Sequence, residues 1–178
     1  MIEALITSKT RIKLLLKFFL NSNNTAYLRS LEPEFDESTN AIRQELNRFE
    51  KAGLLLSKQE GNKKIYNANI KHPLFKDINN ILLKYVGLDK ILEKVVNKLG
   101  QLESVYLTGD LAKGKDSKII DLLFVGDDID SNYLQELMKK AEGVLDRKIR
   151  FLLLGLKEVG NFLANKPENE VLLLWKKE

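Results

Sequence analysis

The sequence contains no cysteine and a single histidine, His72, among 178 residues. The first absence removes disulfide frameworks and thiolate nucleophiles. Together they remove the Cys- and His-rich ligand sets on which zinc and iron centres are built. Only oxygen ligands from Asp and Glu remain. Long apolar runs are also missing. No stretch approaches the roughly 20 apolar residues that a membrane span requires. Residues 1–10 lack the apolar core of a secretory leader, and the nearby run Leu14 to Leu16 is broken by Lys17. The expectation is therefore a cytoplasmic protein with no membrane partner, no metal and no cofactor.

What is present is the composition of a folded protein, 44% hydrophobic and 30% charged. The net charge of +4 is unevenly placed. Residues 1–86 hold 14 Lys and Arg against 9 Asp and Glu, an excess of +5; the remainder holds 15 against 16, or −1. An excess confined to one half points to a polyanionic partner for that half alone.

Periodicity divides the chain near Gly87. Ser8 is placed to cap a first helix reaching about Leu20, with Ile12, Leu15, Leu16 and Phe19 on its apolar face. The run Asn21-Ser22-Asn23-Asn24 ends it, because these side chains compete for backbone hydrogen bonds. Thr25 is expected to cap a short second helix from Ala26 to about Leu31, closed by Pro33. Asp36 or Ser38 should cap a third, ending at Gly53, whose apolar face is Ile42, Leu46 and Phe49. Two extended runs around Gly61-Asn62 then predict a β-hairpin. After Pro73, two more helices are expected, one carrying Leu74, Ile78, Ile81 and Leu82, the other Ile91, Leu92, Val95 and Val96. The second half reads as strands near 104–107, 119–125, 148–154 and 171–175, with helices near 131–145 and 156–165.

The third helix leaves Thr39, Asn40, Arg43, Gln44 and Asn47 pointing away from its apolar face, followed by Lys51. Arginine suits guanine edges, and asparagine or glutamine suits adenine. The hairpin carries Lys58, Lys63 and Lys64, which can neutralise phosphates without reading sequence. Three helices and a hairpin, with the helix Ala41-Ile42-Arg43-Gln44-Glu45-Leu46-Asn47-Arg48-Phe49-Glu50-Lys51-Ala52-Gly53-Leu54 and the wing Gln59-Glu60-Gly61-Asn62-Lys63-Lys64-Ile65-Tyr66, resemble the ArsR-like winged helix-turn-helix regulators. The resemblance implies a homodimer on double-stranded DNA, joined through flanking helices. Metal sensing, common in that family through Cys or His, is not implied here.

In the second half, Leu107-Thr108-Gly109-Asp110-Leu111-Ala112-Lys113-Gly114 followed by Ile119-Ile120-Asp121 resembles the minimal nucleotidyltransferases of the polymerase-β superfamily. That family has Gly-Ser with a second Gly, then a strand with Asp-x-Asp; the loop holds triphosphate and the carboxylates hold two Mg²⁺ ions. Gly109 and Gly114 match the glycines and Asp121 matches the second Asp. Asp110 stands in place of Ser, Ile119 in place of the first Asp, and Arg150 at the position of the third carboxylate. The resemblance thus implies a degenerate nucleotide site of Gly109, Asp110, Gly114, Asp121 and Arg150, with no catalytic residue. Arg150 is expected to pair with Asp121. Val105, Leu107, Ile120, Leu122, Phe124, Ile149 and Phe151 should form the core.

The fold expected is α+β: a winged helix-turn-helix over 1–86 that binds DNA, and a nucleotidyltransferase-like α/β domain with a small mixed sheet over 87–178. The function expected is transcription regulation, the second domain serving to sense an unidentified small-molecule effector or to dimerise. Two alternatives stay open: an active Mg²⁺-dependent nucleotidyltransferase with an N-terminal targeting domain, and a protein-interaction adaptor.

Overall fold

The structure, a computed structural model, describes residues 2–178, the side chain of Glu3 excepted. The chain divides into two compact units, 1–85 and 86–178.

In the first unit the Ser8 hydroxyl accepts from the Arg11 amide at 3.2 Å and starts helix α1 (Lys9–Leu15). The helix widens into a π-helical stretch, Leu16–Leu20, whose residues are all buried. Lys17 lies within it and its charge is met by Glu34 at 3.0 Å. The carbonyls at the end of this stretch do not go unpaired: the Asn79 amide of α4 (Phe75–Val86) donates to those of Phe19 and Leu20 at 2.7 and 3.2 Å.

The second helix departs from the expectation. Thr25 does not cap it but begins a two-residue strand, β1 (Thr25–Ala26), and helix α2 runs from Leu28 through Pro33 to Phe35. Backbone pairing of Thr25 and Ala26 with Asn67 and Tyr66 competes with helix formation and wins. The helix is started instead by Ser30, whose hydroxyl donates to the Tyr27 carbonyl at 2.7 Å and accepts from its amide at 3.2 Å. Pro33 removes one turn bond, and burial of Leu31 and Phe35 on the same helix offsets that loss. Asp36, at φ 51°, ends α2 in the left-handed region, and Ser38 is the cap of α3 (Thr39–Lys51). Ile42, Leu46 and Phe49 are buried as their spacing demands.

Strands β2 (Leu55–Glu60) and β3 (Lys63–Ala68) pair antiparallel out to Glu60 and Lys63, and the sheet order is β1-β3-β2. On α3, Glu45 is buried between Arg11 of α1, at 2.9 and 3.1 Å, and Arg48, at 2.7 Å. Burial opposes its charge, but the hydrogen bond and charge of Arg11, with those of Arg48, hold the carboxyl below the usual range.

The second unit contains α5 (Leu88–Val96), β4 (Ser104–Thr108), the single turn α6 (Gly109–Ala112), β5 (Ile119–Val125), α7 (Ser131–Glu142), β6 (Lys148–Leu154), α8 (Leu156–Ala164) and β7 (Leu172–Lys176). Asp130 caps α7 by accepting from the amides of Asn132 and Tyr133. The sheet order is β6-β5-β4-β7, with β5 and β6 parallel and the other pairs antiparallel. Val105, Leu107, Ile120, Leu122 and Phe124 are buried, with Leu134, Leu137, Met138 and Ala141 of α7.

Three expectations change. Ile149 and Phe151 are only half-buried, because β6 is an edge strand. The Gly109 loop includes a helical turn. Leu82, Ile91 and Val95, on the flanking helices through which the winged-helix resemblance implies a dimer, are buried within the chain itself; Leu74 and Ile81 stay exposed. Among the described residues no helix is long and apolar enough to cross a membrane.

Candidate functional site

Helical spacing sets Asn40, Arg43, Gln44, Asn47 and Lys51 on the side of α3 opposite its buried stripe. All five are exposed, and Thr39 is half-buried. Arg43 and Asn47 border an open cleft of about 580 Å³. Tyr27, Leu28 and Arg29 enter it from the start of α2, and Asn62, Lys63, Lys64 and Tyr66 from the hairpin. Among the described residues no acid pairs with Arg29 or Arg43.

The hairpin lysines differ from one another. Lys63 lies 4.4 Å from the centre of the Tyr27 ring and has no carboxylate partner among the described residues. Lys64 is bound to Glu50 at 2.7 Å and lies 5.2 Å from the Tyr66 ring. That bond, with the Ser57 hydroxyl donating to the same carboxylate, holds Glu50 below the ordinary carboxyl range and Lys64 above the ordinary amine range. Lys58 pairs with Glu60 at 3.3 Å, across from Ile65. Lys58, Lys51, Thr39, Asn40 and Gln44 do not line the cleft.

Sequence reasoning missed Tyr27, Arg29 and Tyr66. Arg29 and Tyr27 were hidden by the unforeseen strand β1, which moves the helix start and with it the direction of the first turn. Tyr66 was legible in principle, since strand alternation places it on the same side of β3 as Lys64.

In the second unit, β5 and β6 set Asp121 beside Arg150 in register. The guanidinium donates twice to the carboxylate, Nε to Oδ1 at 2.7 Å and Nη2 to Oδ2 at 3.0 Å. These bonds, then the charge of Asp121 and that of Asp110, push the Arg150 pKa upward. Gly109, at φ 69°, comes so close that a Cβ there would stand 2.3 Å from Asp121 Oδ2. Asp110 itself is exposed. The loop folds back on its own carbonyls: the amides of Lys113, Gly114 and Lys115 donate to Gly109, Leu111 and Asp110 at 3.3, 3.0 and 2.9 Å. Lys113 also binds Glu170 at 2.9 Å. A cleft of about 200 Å³ beside the pair is lined by Thr108, Asp121, Arg150, Leu152 and Phe162, among others.

These residues do not fit a two-cation centre. Ile119 has no donor atom, and both oxygens of Asp121 are engaged by a fixed cation. Among the described residues no three His, Asp or Glu side chains gather closely enough to hold a metal ion.

No family model matches the chain, and no curated protein matches it. Over about half its length the chain is structurally similar to several solved structures, each less than 25% identical to it. A variant of the MntA–HpeT toxin–antitoxin is 22% identical, covering 52% of this chain and 74% of that one, with a TM-score of 0.41. A protein of Sulfolobus solfataricus assigned as a nucleotidyltransferase is 20% identical, covering 55% and 83%, with a TM-score of 0.39. A toxin–antitoxin structure containing AMP-PNP is 22% identical, covering 52% and 75%, with a TM-score of 0.41. Likeness at this level says nothing about the chemistry of this chain.

Proposed function

We propose that the chain is a DNA-binding transcriptional regulator, in which a winged helix-turn-helix over 1–86 reads double-stranded DNA. The second unit is a nucleotidyltransferase-like module that transfers nothing and serves for sensing a small-molecule effector or for dimerisation. The order α1-β1-α2-α3-β2-β3, with a three-stranded sheet ending in the hairpin, supports the winged-helix reading.

The observation that carries the proposal is the cleft between α3 and the hairpin. Its guanidiniums, Arg29 and Arg43, have no acid of their own among the described residues. A cation without an internal partner can be given to a phosphate or a base edge at no cost in broken ion pairs. Arg43 and Asn47 lie one helical turn apart on α3, at the spacing side chains need to reach neighbouring bases. Lys63 supplies charge from the other wall.

Selection of bound duplexes from a random pool, using the full chain, tests this. Enrichment of a palindromic consensus is expected, with binding that weakens steeply as salt rises. Recovery of an unenriched pool at low salt would leave the protein without sequence specificity and sink the regulator reading. A transferase reading is disfavoured by Asp121, whose carboxylate is spent on Arg150, and by Ile119.

A further inference from the structure

The hairpin register offers Lys63 an acid that it does not take. Glu60 stands directly across from it in the antiparallel ladder, where an opposite charge normally pairs. Glu60 is turned instead to Lys58, at 3.3 Å. Lys63 reaches out of its own hairpin and lies 4.4 Å from the centre of the Tyr27 ring. The backbone holds Tyr27 in place from both sides. Strand β1 pairs Ala26 with Tyr66, so the next residue, Tyr27, follows in line with Ile65, which shares a strand face with Lys63. On the helix side, the Ser30 hydroxyl binds the Tyr27 carbonyl at 2.7 Å and its amide at 3.2 Å.

A carboxylate and a ring do different things to a lysine. Glu50 orients Lys64 at 2.7 Å and takes up its charge. A ring face attracts a cation through its quadrupole but carries no net charge, so it orients the amine and leaves the charge unspent. Arg29, two residues beyond Tyr27, lines the same cleft; it is exposed and has no acid among the described residues.

We propose that Tyr27 is a positioning residue: its ring aims Lys63, together with Arg29, at neighbouring phosphates of one DNA strand, while Arg43 and Asn47 address the bases. The assignment rests on the DNA-binding reading. A lysine held on a ring has less rotamer freedom to lose when it meets its phosphate, so the contact forms at a lower entropic cost. Phosphate contacts fix register and carry no sequence information. The subsite therefore acts on any duplex, and one fixed duplex of arbitrary sequence suffices to test it.

Tyr27→Phe keeps the ring and Tyr27→Leu removes it. In the full chain without DNA, the side-chain methylene protons of Lys63 are expected upfield in the NMR spectra of the wild type and Tyr27→Phe, and at ordinary shifts in Tyr27→Leu. With the duplex, Lys63→Ala should lower the slope of log affinity against log salt by about one unit. Tyr27→Leu should fall between the wild type and Lys63→Ala, and Tyr27→Phe should match the wild type. In the Lys63→Ala background Tyr27→Leu should change nothing further, which separates aiming from a general loss of fold. Arg29→Ala should lower the slope by about one unit in either background. Neutral methylphosphonates, placed one at a time along the backbone, locate the contacts: one position should cease to matter in Lys63→Ala, and the same or the adjacent one in Arg29→Ala. Equal slopes for the wild type and Tyr27→Leu would overturn the proposal. So would a further loss in the Lys63→Ala background, a Tyr27→Phe variant that behaves as Tyr27→Leu, or contacts that fall on different strands. A chain that binds through this subsite and enriches no consensus sinks the regulator reading alone. A chain that enriches a consensus and ignores Tyr27→Leu sinks this proposal alone.

Discussion

The two units treat their arginines differently. In the first, Arg29 and Arg43 stand on the walls of a cleft with no acid among the described residues to hold them. In the second, Arg150 is fastened to Asp121, Arg147 to Asp116, Lys118 to Asp146, Lys113 to Glu170 and Lys177 to Glu103. What distinguishes the cleft is that its two guanidiniums remain unspent, and strand register and helix facing set which cations those are. Even within the first unit the rule discriminates, because Lys64 is held by Glu50 and Lys63 is not.

The sharpest way to break the comparison is through a glycine in each unit. Gly109 and Gly61 both have positive φ, 69° and 59°, but a Cβ at Gly109 would strike Asp121 and one at Gly61 would meet nothing within 4 Å. Gly109→Ala is expected to cost about 2–3 kcal/mol in denaturant unfolding, from steric strain added to backbone strain. Gly61→Ala should cost roughly 1 kcal/mol, from backbone strain alone. Equal losses would mean that Asp121 is free to move away and that its pairing is loose.

Arg43→Ala should weaken binding to a selected duplex by ~1–3 kcal/mol and relax preference at one base position. Unchanged preference in a repeat of the selection would remove Arg43 from base reading. The hairpin lysines give a smaller, graded effect. Lys63→Ala is expected to lower the slope of log affinity against log salt by about one unit. Lys64→Ala should lower it by less, since Glu50 already neutralises that amine. Glu50→Gln should then steepen the slope by releasing Lys64. Identical slopes for the two lysine variants would show that the Glu50 pair opens freely on binding.

The smallest expected effect is none. Mg²⁺ with ATP should leave the melting temperature of the chain unchanged, because Ile119 offers no ligand and the Asp121 carboxylate is held by Arg150. A rise that disappears in Asp121→Asn would return the second unit to nucleotide chemistry.

Much of this was legible in the sequence. Strands β5 and β6 were readable to their end residues, because short, largely apolar runs that follow turn residues leave little choice of element. Helix α3 was readable from Ile42, Leu46 and Phe49. The pairing of Arg150 with Asp121 followed from a motif and a strand count. The misreadings share one cause. Thr25 has the chemistry of a cap, and only a partner strand some 40 residues away makes it extended. Pro33 has the chemistry of a helix stop, and only the burial of Leu31 and Phe35 carries the helix past it. Ile149 and Phe151 have the pattern of core residues, and only the order of strands makes them edge residues. Local chemistry fixes each residue's preferences; long-range pairing decides which preference is honoured. Arg29 was lost to the cleft for that reason.

The Asp121–Arg150 pair has a consequence for how this unit can be controlled. A divalent ion in such a place is exchangeable: it can be stripped by a chelator, outcompeted by another ion, or made limiting by the cell's supply. A guanidinium tethered to the neighbouring strand is none of these things. Its concentration at the carboxylate is set by the fold, and its charge persists at any pH the protein survives. The unit carries its counter-ion as part of its own chain, so ion supply is not a lever on it.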